Sequence, residues 1–224
     1  MFAIQNCLIC RQLSETLICR YCQVDIPLFQ QQQKPINLLL WPEIKRGLGQ
    51  VNFDQIYALA DYRWPLNQLL TGLKFQGRLP HAKALAELFV SHALGADFNR
   101  PQAIVPMPLH NNRFLERKYN QSIILGKHLQ SLMGIPLLTD TLIKSKATLA
   151  QSGLSAAKRR ANVKHAFALS KTASRSLDVL QHIALFDDVI TTGATANSAY
   201  TCLASAFPHL QIQVWSICLT LTRR

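Results

Sequence analysis

Apolar residues follow two rhythms along this chain. Compact apolar runs at 55–61, 102–105, 182–186 and 211–221 read as buried strands. Between them apolar positions recur three and four residues apart, the spacing of one buried helical face. Ala82, Leu85, Ala86, Phe89 and Val90 form one such set, and Leu125, Leu129, Leu132 and Met133 another. Proline and glycine punctuate the pattern. Pro65 opens a helix that fades near Gly77, a second starts about Pro80, and Pro106 and Pro108 halt a strand. A last helix spans about 193–206, and short apolar segments surround Leu137 and Leu142. Strands alternating with helices predict a parallel α/β sheet flanked by helices, with ligands at the carboxyl ends of the strands.

The chain of 224 residues has room for one main core and a small accessory module at one end. No apolar run approaches the ~18 residues of a spanning helix. The first ten residues lack the basic region and cleavage site of a secretion signal, so a cytoplasmic location without a membrane span is expected. Charge is uneven. Between Arg100 and Arg175 stand thirteen basic residues and two acidic ones, Glu116 and Asp140, so 13 − 2 = 11 of the net +12 falls there. Such a field suits a nucleic acid backbone, a phosphorylated small molecule or an anionic membrane surface, and is also what a solvated basic face would show.

The most informative stretch runs from Ile183 to Thr195. An apolar strand delivers Asp187 and Asp188, then a small hydroxyl-rich turn follows: Thr191, Thr192, Gly193, Ala194, Thr195. Adjacent carboxylates accept hydrogen bonds from the two hydroxyls of a ribose cis-diol. A glycine-containing turn that opens a helix offers backbone N–H groups and hydroxyls to a phosphate. Both features belong side by side, because diol and 5-phosphate are parts of one small molecule.

A second strand-to-loop junction carries Pro106, Met107, Pro108, Leu109 and His110, then Arg113, Arg117, Lys118, Tyr119, Asn120 and Gln121. Residues 151–163 add Lys158, Arg159 and Arg160 after a glycine, a cationic cover in outline. Near the N-terminus, Cys7-x-x-Cys10 and Cys19-x-x-Cys22 have the spacing to put four thiolates tetrahedrally around one zinc, with redox pairing as the rival reading. Four thiolates leave no open position, so the metal is expected to be structural. Residues 30–34 are glutamine-rich and resemble a linker. Cys202 and Cys218 read as small buried hydrophobes.

The acid-threonine stretch resembles the signature of the phosphoribosyltransferases. As a set, Leu73-Lys74-Phe75, the Pro106-Met107-Pro108-Leu109 loop, Tyr119-Asn120-Gln121, residues 151–162 and the acid-threonine signature closely resemble the ComF family, also called ComF/GntX. The resemblance implies a phosphoribosyltransferase-like domain over 36–224 behind a four-cysteine zinc module and linker over 1–35. It implies that Asp187, Asp188 and 191–195 hold the ribose 5-phosphate of phosphoribosyl pyrophosphate (PRPP). Pro106, Met107, Pro108 and Arg113 would grip its pyrophosphate, with Mg2+ as companion. One departure is Lys118, where the family commonly has a conformationally free glycine.

Two functions follow as expectations. One is handling of incoming single-stranded DNA in natural transformation, with Arg113, Arg117, Lys118, Lys158, Arg159 and Arg160 tracking the backbone. Stacking platforms near the basic segment are sparse: Phe114, Tyr119 and Phe167. The other is an active phosphoribosyltransferase, which lacks a recognisable acceptor-base pocket. A third, weaker reading docks the zinc module on a competence helicase-like ATPase.

Overall fold

The computed structural model describes residues 4–29, 36–94, 98–109, 117–144 and 166–221. Its centre is a four-stranded parallel sheet of β3 (Ile56–Asp61), β4 (Ala103–Pro106), β7 (His182–Ile190) and β8 (Gln211–Leu219), in the order β3-β8-β7-β4. β8 pairs Ile56 with Val214 on one side and Ile183 with Ile212 on the other. The outer strand β4 pairs Ala103 with Ile183. Both sheet edges are partly covered, by an antiparallel bridge from Leu28 to Ala60 and a parallel bridge from Leu137 to Ile104.

Helices cover both faces, which is why the strands read as continuous apolar runs. On one face lie α3 (Leu66–Gln76), α4 (Pro80–Phe89) and α5 (Gln121–Met133). α3 buries Leu66, Leu69, Leu70 and Leu73 and stops at Gly77, whose φ of 64° is a left-handed helix end. α5 starts where the Asn120 carboxamide accepts the Ser122 N–H at 2.9 Å. These helices close over Phe89, Phe186 and Trp215, with Phe89 and Trp215 ring centroids 5.6 Å apart. The second core lies under α2 (Pro42–Leu48) and α7 (Ala194–Ala206), with the small antiparallel pair β5 (Leu142–Lys144) and β6 (Phe167–Leu169). α6 (Ala173–Leu177) leads into β7.

The N-terminal module is small: β1 (Gln5–Asn6), β2 (Leu13–Ser14) and α1 (Arg20–Val24). Its buried residues Cys7, Ile18, Cys19, Cys22 and Ile26 belong to the same core as α3 and α4.

Four expectations shift. The strand expected over 182–186 extends to Ile190, because β8 supplies pairing partners for Asp187, Val189 and Ile190 that no apolar periodicity marks. The final strand ends at Leu219 rather than 221. Leu132 does not join the buried stripe of α5: it is 47% exposed, while Leu125 and Leu129 are fully buried. Cys218 is fully buried, but Cys202 is only half-buried. The glutamine-rich linker and the cationic stretch 151–163 lie outside the described residues.

Candidate functional site

The acids sit inside β7, at a place where the strand loses its regular pleat. Phe186 packs in the first core together with Val189, and Leu185 in the second together with Ile190. A regular strand sends residues an odd number apart to opposite faces, so the alternation slips between the acids and the strand end. The neighbouring strand β4 has already finished. Its last backbone contact is the Met107 N–H donating to the Phe186 carbonyl at 2.8 Å, and the Asp188 N–H donates instead to Asp187 Oδ1 at 2.9 Å.

Both carboxylates therefore line one cleft of about 460 Å³ at the carboxyl edge of the sheet. On the α7 side its wall is the turn with Thr191, Gly193, Ala194 and Thr195; on the opposite side it is Tyr62, Lys74, Arg117 and Gln121. Met107 and Pro108 line it as well, while Pro106 is the last residue of β4. Thr192 is exposed next to the turn. Of the positions chosen from sequence, Asp187, Asp188, Thr191, Gly193, Ala194 and Thr195 thus converge with part of the second junction, and Thr192 does not line the cleft. Arg113, Lys158, Arg159 and Arg160 lie outside the described residues.

Gly193 opens α7 at φ 73° with no side-chain cap, leaving the first-turn N–H groups without a side-chain acceptor. It is held to glycine by packing as well: a Cβ there would meet Val51 Cγ1 at 3.0 Å and Leu48 Cδ2 at 3.3 Å. The turn is thus pressed onto α2 and the residues after it.

The electrostatics of the acid pair are asymmetric. Asp188, 4% exposed, forms an ion pair with Lys74, Nζ to Oδ2 2.6 Å. The same ammonium stands 6.0 Å from the centre of the Tyr62 ring. Asp187 accepts from Ser122 Oγ at 3.1 Å. Burial, reinforced by the charge of Asp188, pushes the Asp187 carboxyl up to about 7, against the pull of the Asp188 N–H, Ser122 and Lys74. One acid stays paired with a cation; its neighbour titrates near neutrality.

Lys74, Ser122, Gln121 and Tyr62 were given no site role from sequence. Lys74 stands in the quoted Leu73-Lys74-Phe75 motif, and Gln121 in Tyr119-Asn120-Gln121, so a signal existed without a chemistry attached. Ser122 and Tyr62 carried none, because only the packing of α5 and the end of β3 brings them to the acids. The Gln121 side chain lines the cleft at 4% exposure, and among the described residues its Oε1 has no hydrogen-bond partner. Lys118 keeps the left-handed conformation, φ 62°, that a glycine would hold without strain. Tyr119 OH donates to the Leu73 carbonyl and Asn120 Nδ2 to the Met107 carbonyl at 2.9 Å, which ties this junction to α3 and the strand end.

The aromatic residues named near the basic segment do not make a stacking face among the described residues. Tyr119 is engaged with α3 and Phe167 is 7% exposed, while Phe114 lies outside the described residues. Phe75, 68% exposed, stands at the end of α3 with the Arg117 guanidinium 4.8 Å from its ring centre.

In the N-terminal module, the ligand atoms of Cys7, Cys10, Cys19 and Cys22 all lie within 4.8 Å of one another and can hold one metal ion. Cys10 Sγ and Cys19 Sγ are 3.7 Å apart. A tetrahedron with metal–sulfur bonds of roughly 2.3 Å has edges of roughly 3.8 Å, so the cage has the right size. Burial raises the Cys7 thiol, but backbone N–H groups of Cys19, Cys10 and Ile9 outweigh it and bring it down to about 6. That favours the thiolate a metal needs.

Fold and cleft together define an α/β protein with an acid-lined, anion-suited cleft at the carboxyl edge of a parallel sheet, preceded by a four-cysteine metal cage. No protein-family model matches the chain. Over 170 residues, 74% of this chain and 73% of the relative, it is 35% identical to Competence protein F of Haemophilus influenzae. Over 174 residues, 75% of this chain and 74% of the relative, it is 34% identical to DNA utilization protein YhgH of Salmonella typhimurium, and 33% identical to that of Escherichia coli K12. The chain belongs to the ComF family. Among the described residues, no helix is long and apolar enough to cross a membrane.

Proposed function

We propose that this protein serves the uptake and use of incoming DNA, the role for which its relatives are named, and that its cleft holds a ribose 5-phosphate such as PRPP. The observation that carries the second half is the shared cleft of Asp187, Asp188 and the Thr191–Thr195 turn. The acids accept from the sugar diol, and the turn with the uncapped N-terminus of α7 takes the 5-phosphate. The loop with Pro106, Met107, Pro108 and Arg113 takes the pyrophosphate in this reading, and Mg2+ would accompany that group. In this reading residues 36–224 act as the ribose-phosphate domain, and residues 1–35 as a zinc module and linker in which four thiolates close the coordination sphere, so zinc works as a staple. Single-stranded DNA is taken by the basic segment, with Arg113, Arg117, Lys118, Lys158, Arg159 and Arg160 on phosphates.

Calorimetry of the full chain with PRPP and Mg2+ tests the cleft: Asp188→Asn should abolish binding, and equal binding by both proteins would refute it. Gel shifts with single-stranded oligonucleotide across a salt series test the DNA role, for which affinity should fall steeply as salt rises. Salt-independent binding, or none, removes that role. A second reading, an active phosphoribosyltransferase, draws support from the same cleft, in which Asp187, Asp188 and the turn that opens α7 are brought together. Pyrophosphate release from PRPP with any nitrogen acceptor would establish it. Docking of a competence helicase-like ATPase on the zinc module is tested by pull-down with Cys19→Ser.

A further inference from the structure

In the cleft, one oxygen of each acid is already engaged. Asp188 Oδ2 lies 2.6 Å from Lys74 Nζ. Asp187 Oδ1 accepts from Ser122 Oγ at 3.1 Å and from the Asp188 N–H at 2.9 Å. Among the described residues nothing donates to Asp187 Oδ2 or to Asp188 Oδ1. At a pH above about 7, where Asp187 is ionised, the pair is thereby reduced to two adjacent acceptor oxygens, one on each residue, so binding is to be measured at about pH 8.

We infer that Lys74 and Ser122 are positioning residues that set the acid pair as a two-acceptor reader of a cis-diol, so that the cleft takes a free ribose 5-phosphate and refuses the sugar of a DNA strand. The inference rests on the reading of the cleft as a ribose-phosphate site. A ribose offers a donor to each oxygen through its 2- and 3-hydroxyls. A 2-deoxyribose offers one, and the second oxygen is left desolvated in a wall where Asp188 is 4% exposed. An internal nucleotide of DNA offers none. Its 3-oxygen is esterified, and its phosphates bring negative charge against two carboxylates. The sugars of single-stranded DNA are then kept from the acid pair, and among the described residues Arg117 is the part of the cleft wall that both ligands would share.

The test is calorimetry of the full chain with ribose 5-phosphate and with 2-deoxyribose 5-phosphate, followed by displacement of bound ribose 5-phosphate with oligo(dT). One unsatisfied buried acceptor corresponds to a preference of about 5- to 150-fold for ribose 5-phosphate. Oligo(dT) should not displace it. In Lys74→Met and Ser122→Ala the acids are free to turn, and the ribose preference should fall toward one. A purely structural role would weaken both sugars together and keep their ratio. If Lys74→Met does not fold, Ser122→Ala, which removes one hydroxyl, decides the matter. Equal affinity of the unaltered protein for the two sugars, displacement by oligo(dT), or an unchanged ratio in Ser122→Ala overturns the inference while the cleft remains a sugar-phosphate site. Binding of neither sugar overturns the cleft reading itself, and this inference with it.

Discussion

Replacing Lys118 by glycine should make the protein more stable, although it deletes a charged side chain and adds chain freedom. Lys118 has φ 62° and an exposed side chain. Its conformation is imposed from both sides: Arg117 lies on the Phe75 ring, Tyr119 OH reaches the Leu73 carbonyl, and Asn120 caps α5. A residue with a Cβ held in the left-handed region costs about 1–2 kcal/mol. Glycine removes that strain but loses more backbone freedom on folding, about 0.5–1 kcal/mol. The net gain is about 0–1.5 kcal/mol, and for a chain of this size each 1 kcal/mol moves Tm by about 2–4 °C. Urea unfolding of Lys118→Gly beside Lys118→Ala separates the causes. Alanine deletes the same charge and stem but keeps the strain, so it should gain nothing. A glycine variant no more stable than the alanine variant would show that the strain reasoning is wrong.

Gly193→Ala should lose about 2–3 kcal/mol, since the new methyl meets Val51 at 3.0 Å in a left-handed backbone, and thermal melting reads the loss; an unchanged Tm would show that the turn yields freely. Purified protein should carry one zinc per chain by elemental analysis, and a strong chelator should lower its Tm, with Cys10→Ser reproducing both effects. Asp187 also gives a pH signature. Its folded value, about 7, is above the ordinary 3.8, so between these the folded chain keeps a proton that the unfolded chain has released. Its contribution to stability is full at the acid end and is lost as pH rises from about 4 to about 7. Urea midpoints of Asp187→Asn and the unaltered chain should therefore lie closest at about pH 4, separate progressively in favour of the variant up to about pH 7, and keep a constant gap above that.

The alternation of apolar runs with helical stripes was enough to place β3, α3, α4, β4, α5 and α7, because burial on both faces of a parallel sheet writes itself into composition. That Asp187, Asp188, Thr191 and residues 193–195 line one cleft was legible for a different reason: they are close neighbours in sequence at the end of one strand. The four cysteines were legible for the same reason of local spacing. The end of β7 was not, since its last residues are polar or mixed and are strand only because β8 lies alongside. Leu132 follows the helical period yet is 47% exposed, as none of the described residues buries that side of α5.

Tertiary structure alone decided what the acids are bonded to. Lys74 comes from a helix more than a hundred residues earlier in the chain, and Ser122 from another, and their distances to Asp188 and Asp187 depend on how α3 and α5 pack across the sheet edge. It also explained why Gly193 is glycine, through Val51 and Leu48, and showed that Lys118 keeps a glycine-like conformation. Local sequence fixes which groups are present; only three-dimensional packing sets the burial and partners that give each group its charge, its direction and its free oxygen.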